Sequence, residues 1–217
     1  EGISWLFHID SDELIDPGDA HSIRDYFQAI PSHIQEVMIL NREAMPHKFE
    51  FDDVFKEIFR FKKNYFEANG LQTEYALYHV KRPQFFIFYG TFKSAFRPSL
   101  AERYETPASV HQFGPDYFDG SCRVEDRDPI RILHYPVSSL SRLISRISGF
   151  NANRINQYEM IDKESDGFFP TARRAAASSD PAKALSDLFR EWILYDDQTE
   201  IDDLNLRGLI VEKDPQW

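Results

Sequence analysis

Asp10-Ser11-Asp12-Glu13 closes the apolar run Ile3-Ser4-Trp5-Leu6-Phe7-His8-Ile9 and sets three carboxylates at the tip of what reads as a buried strand. Three anions so close together repel one another and are costly to desolvate, so something positive must offset them. A hard divalent cation held by carboxylate oxygens, with the phosphates of a substrate completing its shell, meets that need. The stretch therefore reads as a site for a metal–diphosphate complex. The plainer alternative is a strand end followed by a polar turn. An EF-hand loop is excluded, because it needs Asp or Asn at its fifth position and Gly at its sixth, where this chain has Leu14 and Ile15. A phosphatase motif with an Asp nucleophile and a second Asp two residues on ordinarily has Thr or Val fifth, and Leu14 departs from it.

Lys93 and Arg97 lie four apart, beside the apolar segment Phe85–Tyr89. Such a pair can grip a diphosphate, Arg by a bidentate fork, or can simply be solvated surface charge. Arg142 and Arg146 have the same spacing and the same two readings. His134 follows Ile132-Leu133, a strand-like approach, and a neutral imidazole there suits either a divalent metal or a backbone hydrogen bond.

The segment Trp5-Leu6-Phe7-His8-Ile9-Asp10-Ser11-Asp12-Glu13-Leu14 resembles the metal-binding segment of GT-A glycosyltransferases, in particular family-2-like and family-92-like enzymes with W-L-x-H-x-D-x-D-E-hydrophobic. Tyr89-Gly90-Thr91-Phe92-Lys93-Ser94-Ala95-Phe96-Arg97 is similar to that family's Y-G-x-x-K-S-x-x-R. His111-Gln112-Phe113 stands where an H-x-F follows, and Leu133-His134-Tyr135 resembles its later L-H-Y. The resemblance implies transfer of a sugar from a nucleotide donor, such as a UDP- or GDP-sugar, to a hydroxyl of a glycan, lipid or protein, assisted by Mn²⁺ or Mg²⁺. It implies that Asp12 ligates the metal directly and that Asp10 holds the ribose or reaches the metal through water. Glu13 would orient a ligand or approach the acceptor. His134 would complete the metal shell, with His111 as its competitor, while Lys93, Ser94 and Arg97 would line the donor site. His8 reads as structural. If the reaction inverts the anomeric centre, a carboxylate must take the acceptor's proton; Glu13, Asp116, Asp119, Glu125 and Asp126 all qualify.

Only nine residues precede Asp10, whereas a nucleotide-binding half ordinarily comes before this motif in GT-A proteins. The chain is thus expected to be the carboxyl-terminal portion of a larger enzyme, inactive without upstream nucleotide-binding residues. Any membrane anchor would lie there too, leaving a cytoplasmic face or a Golgi lumen open. Two other classes remain: a non-catalytic module that binds a partner, and a metal-dependent phosphoesterase built on the same carboxylates.

Composition narrows the field further. The 217 residues suffice for a sizeable core, and Phe 19, Tyr 10 and Trp 3 argue for a packed interior. A net charge of −11 without any Lys/Arg run disfavours nucleic-acid phosphates as a partner. Cys122 is the sole cysteine, which excludes an internal disulfide and a cysteine-rich zinc site. No apolar run reaches the roughly 18 residues of a membrane span.

These residues need elements to hold them. Residues 3–9 read as a strand. Asp19 is a candidate N-cap for a helix over about 20–30, with Ile23, Tyr26, Phe27 and Ile30 on its buried face. Glu36–Leu40 reads as a strand, and Val54, Phe55, Ile58, Phe59, Lys62 and Phe66 mark a helix over 52–66. Asn69-Gly70 is a turn between that helix and two strands, Tyr75–Val80 and Gln84–Tyr89. Residues 98–131 read as irregular. Ser138 or Ser139 caps a helix over 139–148 that stops at Gly149. Residues 163–179 read as a flexible connection, and Asp180-Pro181 opens a helix to Tyr195 whose buried stripe is Leu185, Leu188, Phe189 and Trp192. The expected architecture is α/β: the distal, metal- and acceptor-binding part of a GT-A-like mixed sheet flanked by helices. Residues 1–162 would carry the catalytic portion and 163–217 a helical extension.

Overall fold

Val37, Met38, Ile39 and Leu40 are fully buried, as an unbroken apolar run in a central strand should be. The computed structural model describes residues 2–18, 22–64, 67, 82–83, 85–88, 92–103, 122–125, 130–153 and 167–213. In chain order its elements are β1 (Leu6–Phe7), β2 (Glu13–Asp16), α1 (Ile23–Ala29), β3 (Glu36–Ala44), α2 (Val54–Glu57), β4 (Arg60–Lys62), β5 (Phe92–Phe96), α3 (Pro98–Arg103), β6 (Cys122–Glu125), β7 (Arg131–His134), α4 (Leu140–Asn153), α5 (Phe168–Ala176), α6 (Pro181–Trp192), α7 (Gln198–Leu206) and β8 (Ile210–Glu212). The fold is α/β with mixed strand pairing, the class expected. Two compact units draw on interleaved stretches, residues 1–43, 63–70 and 89–134 in the first and 44–62, 71–88 and 135–217 in the second.

In the first unit β3 is the centre. β5 runs antiparallel to it, from Glu36↔Phe96 to Leu40↔Phe92, and β1 pairs outside β5 through Leu6↔Phe96 and Phe7↔Ala95. On the other side, β6 pairs parallel with Glu36–Ile39, and β7 pairs parallel with Asn41–Glu43 farther along β3. β2 then pairs antiparallel with β7 over its whole length. β1 thus joins β3 through β5 and β2 joins it through β7, and residues 8–12 carry the chain from one to the other. That crossing is why the expected strand over 3–9 shrinks to Leu6–Phe7. β3 outruns its expected end at Leu40 because β7 gives Asn41, Arg42 and Glu43 partners. α1 packs Phe27 and Ile30 onto Val37, Ile39, Ala95, Ile130 and Ile132. Its cap is Ser22, whose Oγ accepts from Asp25 N–H at 3.0 Å and donates to the Asp25 carboxylate at 2.7 Å. Asp19, the expected cap, lies outside the described residues.

In the second unit the expected helix over 52–66 reduces to α2. Glu57 Oε1 accepts from the N–H groups of Asp52 and Asp53, closing a single turn, and Ile58 is already extended. β4 then pairs antiparallel with β8 from Arg60↔Glu212 to Lys62↔Ile210, a partner some 150 residues away that local periodicity cannot register. Phe85–Phe88 are not a strand, yet Phe85, Phe86 and Ile87 are buried. Tyr75–Val80 and Asn69-Gly70 lie outside the described residues. Within 98–131 the irregular reading gives way to α3, β6 and the first residue of β7.

α4 is capped as expected, Ser139 Oγ accepting from Arg142 N–H at 3.2 Å. It continues through Gly149 to Asn153, since one interior glycine costs only about 1 kcal/mol against alanine. The stretch expected as a flexible connection holds α5, with Phe168 and Ala172 buried and Pro170 tolerated in the first turn. α6 matches expectation at its start and on its buried face, Asp180 capping it, Pro181 opening it and Leu185, Leu188, Phe189 and Trp192 turned inward, but it stops at Trp192, short of Tyr195. α4, α5 and α6 pack around these side chains with Leu143, Ile147 and Leu194. Among the described residues no helix is long and apolar enough to cross a membrane.

Candidate functional site

The crossing segment ends in a turn that the motif carboxylates hold on themselves. Glu13 N–H donates to Asp10 O at 3.1 Å, and Asp10 N–H donates to Glu13 Oε2 at 2.7 Å. β2 begins at Glu13 itself, so Asp10, Ser11 and Asp12 lie before a strand rather than at the end of one. Lys93 Nζ donates to Asp10 Oδ2 at 2.7 Å and stands 3.5 Å from Glu13 Oε1. The side chains of Lys93 and Glu13 are wholly inaccessible, while half of the Asp10 side chain is exposed. Asp12 is partly exposed in the turn. For two of the three motif carboxylates, Asp10 and Glu13, the ammonium of Lys93 is a positive partner.

Strand register adds two more groups. Glu13 lies opposite His134 across β2 and β7, and His134 lies beside Glu43 across β7 and β3. Side chains at paired positions share a face, so Glu13, His134 and Glu43 form one row, all three buried. Glu43 and His134 stand at the carboxyl ends of the parallel strands β3 and β7, the end at which open α/β sheets bind ligands. Sequence reasoning passed over Glu43. The signal was there, in the polar Asn41-Arg42-Glu43 directly after an apolar strand.

The opposite face of the same strands carries a second ionic group. Arg42 donates through Nε to Glu67 Oε2 at 3.0 Å, and Arg131 through Nε to Glu67 Oε1 at 2.8 Å. Arg42 Nη1 is also 3.9 Å from Asp16 Oδ2, and Asp16 lies opposite Arg131 in register. Burial pushes the Glu67 carboxyl up, but the hydrogen bonds and charge of Arg42 and the charge of Arg131 outweigh it and hold the group below the ordinary carboxylate range. These four residues brace β2, β7 and β3 against one another. None had stood out in the sequence.

The expected donor-site residues have other partners. Ser94 Oγ donates to Glu36 Oε1 at 2.6 Å, both side chains buried between β5 and β3. Arg97 Nε donates to Ile34 O at 2.9 Å, and its Nη2 to Ile30 O at 3.1 Å and Pro31 O at 3.4 Å. Its guanidinium lies 4.3 Å over the Trp5 ring. That fork closes the carboxyl end of α1. Arg146 donates to Pro136 O at 3.0 Å within the second unit. His8 is exposed. His111, Asp116, Asp119 and Asp126 lie outside the described residues, and Glu125 falls in β6.

Among the described residues no three His, Cys, Asp or Glu side chains are grouped to hold a metal ion. An octahedral Mg²⁺ or Mn²⁺ does not require such a cage: one or two carboxylates, waters and substrate phosphates suffice. Asp12 and Asp10, exposed to different degrees in one tight turn, fit that smaller donor set.

No protein-family model matches the chain, and no solved structure matches it significantly. It is similar to two Arabidopsis thaliana proteins that bear the name glycosyltransferase-like. The first is 26% identical over 218 residues, which cover 96% of this chain and 46% of that protein. The second is 25% identical over 206 residues, covering 91% of this chain and 38% of its own length. The chain thus spans less than half the length of the curated relatives it matches.

Proposed function

We propose that this chain is part of a metal-dependent glycosyltransferase that moves a sugar from a nucleotide-sugar donor to a hydroxyl acceptor. The observation that carries the reading is the similarity over nearly the whole chain to two glycosyltransferase-like proteins. The placement of Asp10 and Asp12 in a turn joined to β2, whose first residue faces His134 at the carboxyl end of β7, supports it. In the reaction, the acceptor oxygen bonds to the anomeric carbon as the bond from that carbon to the diphosphate oxygen breaks, and the hydroxyl proton passes to a base. Asp12 would hold a divalent cation, with Asp10 beside it and His134 as the later ligand. When bound, such an ion neutralises the charge that grows on the departing diphosphate. Glu13, inaccessible and bound to the Asp10 N–H, shapes the turn and does not meet the acceptor.

The test is the full-length protein with Mn²⁺ and a panel of UDP- and GDP-sugars, scored by release of nucleoside diphosphate. Asp12→Ala should abolish release, and turnover undiminished in that variant would remove Asp12 from the site. Calorimetry separates the other classes. Nucleotide binding that requires the metal favours the transferase, and phosphate release from simple esters favours a phosphoesterase.

A further inference from the structure

This inference rests on the reading of the Asp10–Glu13 turn as a donor site, and it concerns what Lys93 does there. The spacing of Lys93 and Arg97 pointed to a cation that grips phosphate. The geometry gives Lys93 a different direction: its ammonium is inaccessible, 2.7 Å from Asp10 Oδ2 and 3.5 Å from Glu13 Oε1. Its two anionic neighbours differ. Glu13 is wholly buried and tied to the Asp10 N–H, so it cannot swing away without opening the turn. Asp10 is half exposed, so its carboxylate can turn toward solvent at small cost.

We infer that Lys93 is the resident counter-ion of this turn, a positioning residue that holds Asp10 and Glu13 in place without metal and competes with an incoming divalent cation for Asp10. The lysine charge stays with Glu13 as Asp10 is drawn to the metal. Lys93 therefore sets how tightly the turn takes a cation and does not itself touch the donor's phosphates. The sign of its effect follows. A fixed positive charge this close to a divalent ion opposes binding, and a lysine that gripped phosphate would differ by also strengthening nucleotide binding.

The experiment is titration of Mn²⁺ alone, without nucleotide, into the full-length protein and its Lys93→Met variant, with free Mn²⁺ read by electron paramagnetic resonance. The expected result is that Lys93→Met binds Mn²⁺ at least about tenfold more tightly, since it removes a fixed positive charge from beside two adjacent carboxylates. Mn²⁺ should also raise the melting temperature of the variant more than that of the wild type. Equal or weaker Mn²⁺ binding in the variant overturns the inference. Should Lys93→Met fail to fold, adding Glu13→Gln should restore folding by removing the stranded buried charge. Failure of that rescue would mean that Lys93 acts through its packed stem, and would equally overturn the inference. Neither arm uses a sugar or a transfer assay, so loss of the glycosyltransferase reading and loss of this one are told apart by the Asp12→Ala turnover measurement.

Discussion

Arg97→Ala separates the two tasks that the spacing Lys93-x-x-x-Arg97 suggests. The side chain donates to Ile34 O at 2.9 Å and to Ile30 O at 3.1 Å, with a weaker third contact to Pro31 O, and covers Trp5. Hydrogen bonds from a charged donor contribute about 1.5–3 kcal/mol each, and the partial exposure of these carbonyls places them at the low end. Two such bonds give about 3 kcal/mol, to which the stacking on Trp5 adds about 0.5–1 kcal/mol. Some of this is recovered when water reaches the freed carbonyls, so a loss of about 3 kcal/mol is expected. Urea denaturation followed by tryptophan fluorescence should show a lower midpoint with an unchanged slope. For a protein of this size the same loss lowers Tm by roughly 6–12 °C. Arg97→Lys should lose about half as much, because a lysine ammonium keeps the charge but not the fork. In the folded Arg97→Ala protein, nucleotide affinity should stay within about twofold of wild type, whereas loss of a phosphate fork costs about tenfold or more. A variant that keeps its urea midpoint while losing nucleotide binding would refute the reasoning.

Glu67→Gln removes the carboxylate that Arg42 and Arg131 share, and should destabilise by about 3–5 kcal/mol in urea titrations at pH 7. The Glu67 carboxyl titrates lower in the folded than in the unfolded chain, so its contribution is fully present above the unfolded value of about 4.3 and disappears as pH falls through the folded value. The gap between Glu67→Gln and wild type should therefore narrow when unfolding is measured at pH 3. Phe189→Ala removes a fully buried ring that packs 5.5 Å from Phe49, and should cost about 3–5 kcal/mol by the same titration.

Legibility in the sequence followed the range of the interactions concerned. α6 could be read residue by residue, because its cap, its Pro181 and its apolar stripe all act within a dozen neighbouring positions. The helix expected over 52–66 failed for the converse reason. Ile58, Phe59 and Lys62 keep helical spacing while Phe59 and Phe61 alternate as in a strand, and β8, far along the chain, settles the matter by offering β4 an edge. α5 was obscured by a small-residue composition that reads as flexible, although alanine is the best helix former and Phe168 and Ala172 needed only α6 to pack against.

By itself, the sequence determined that anionic groups gather near the amino terminus of an aromatic-rich α/β chain, and that a strand approaches His134. Composition and local spacing carry that much, because charge repulsion and apolar runs are properties of neighbours. Only the tertiary structure decided which charge answers which. It joined β1 to β3 through β5 and β2 to β3 through β7, drew the Asp10–Glu13 turn onto the ammonium of Lys93, and placed Glu43 beside His134. It also turned Arg97 to the end of α1. A carboxylate cannot distinguish in sequence between a metal ion and a lysine eighty residues away; strand register brings the lysine within 2.7 Å of Asp10, and the cost of desolvating a charge requires the buried ammonium to have an anionic partner.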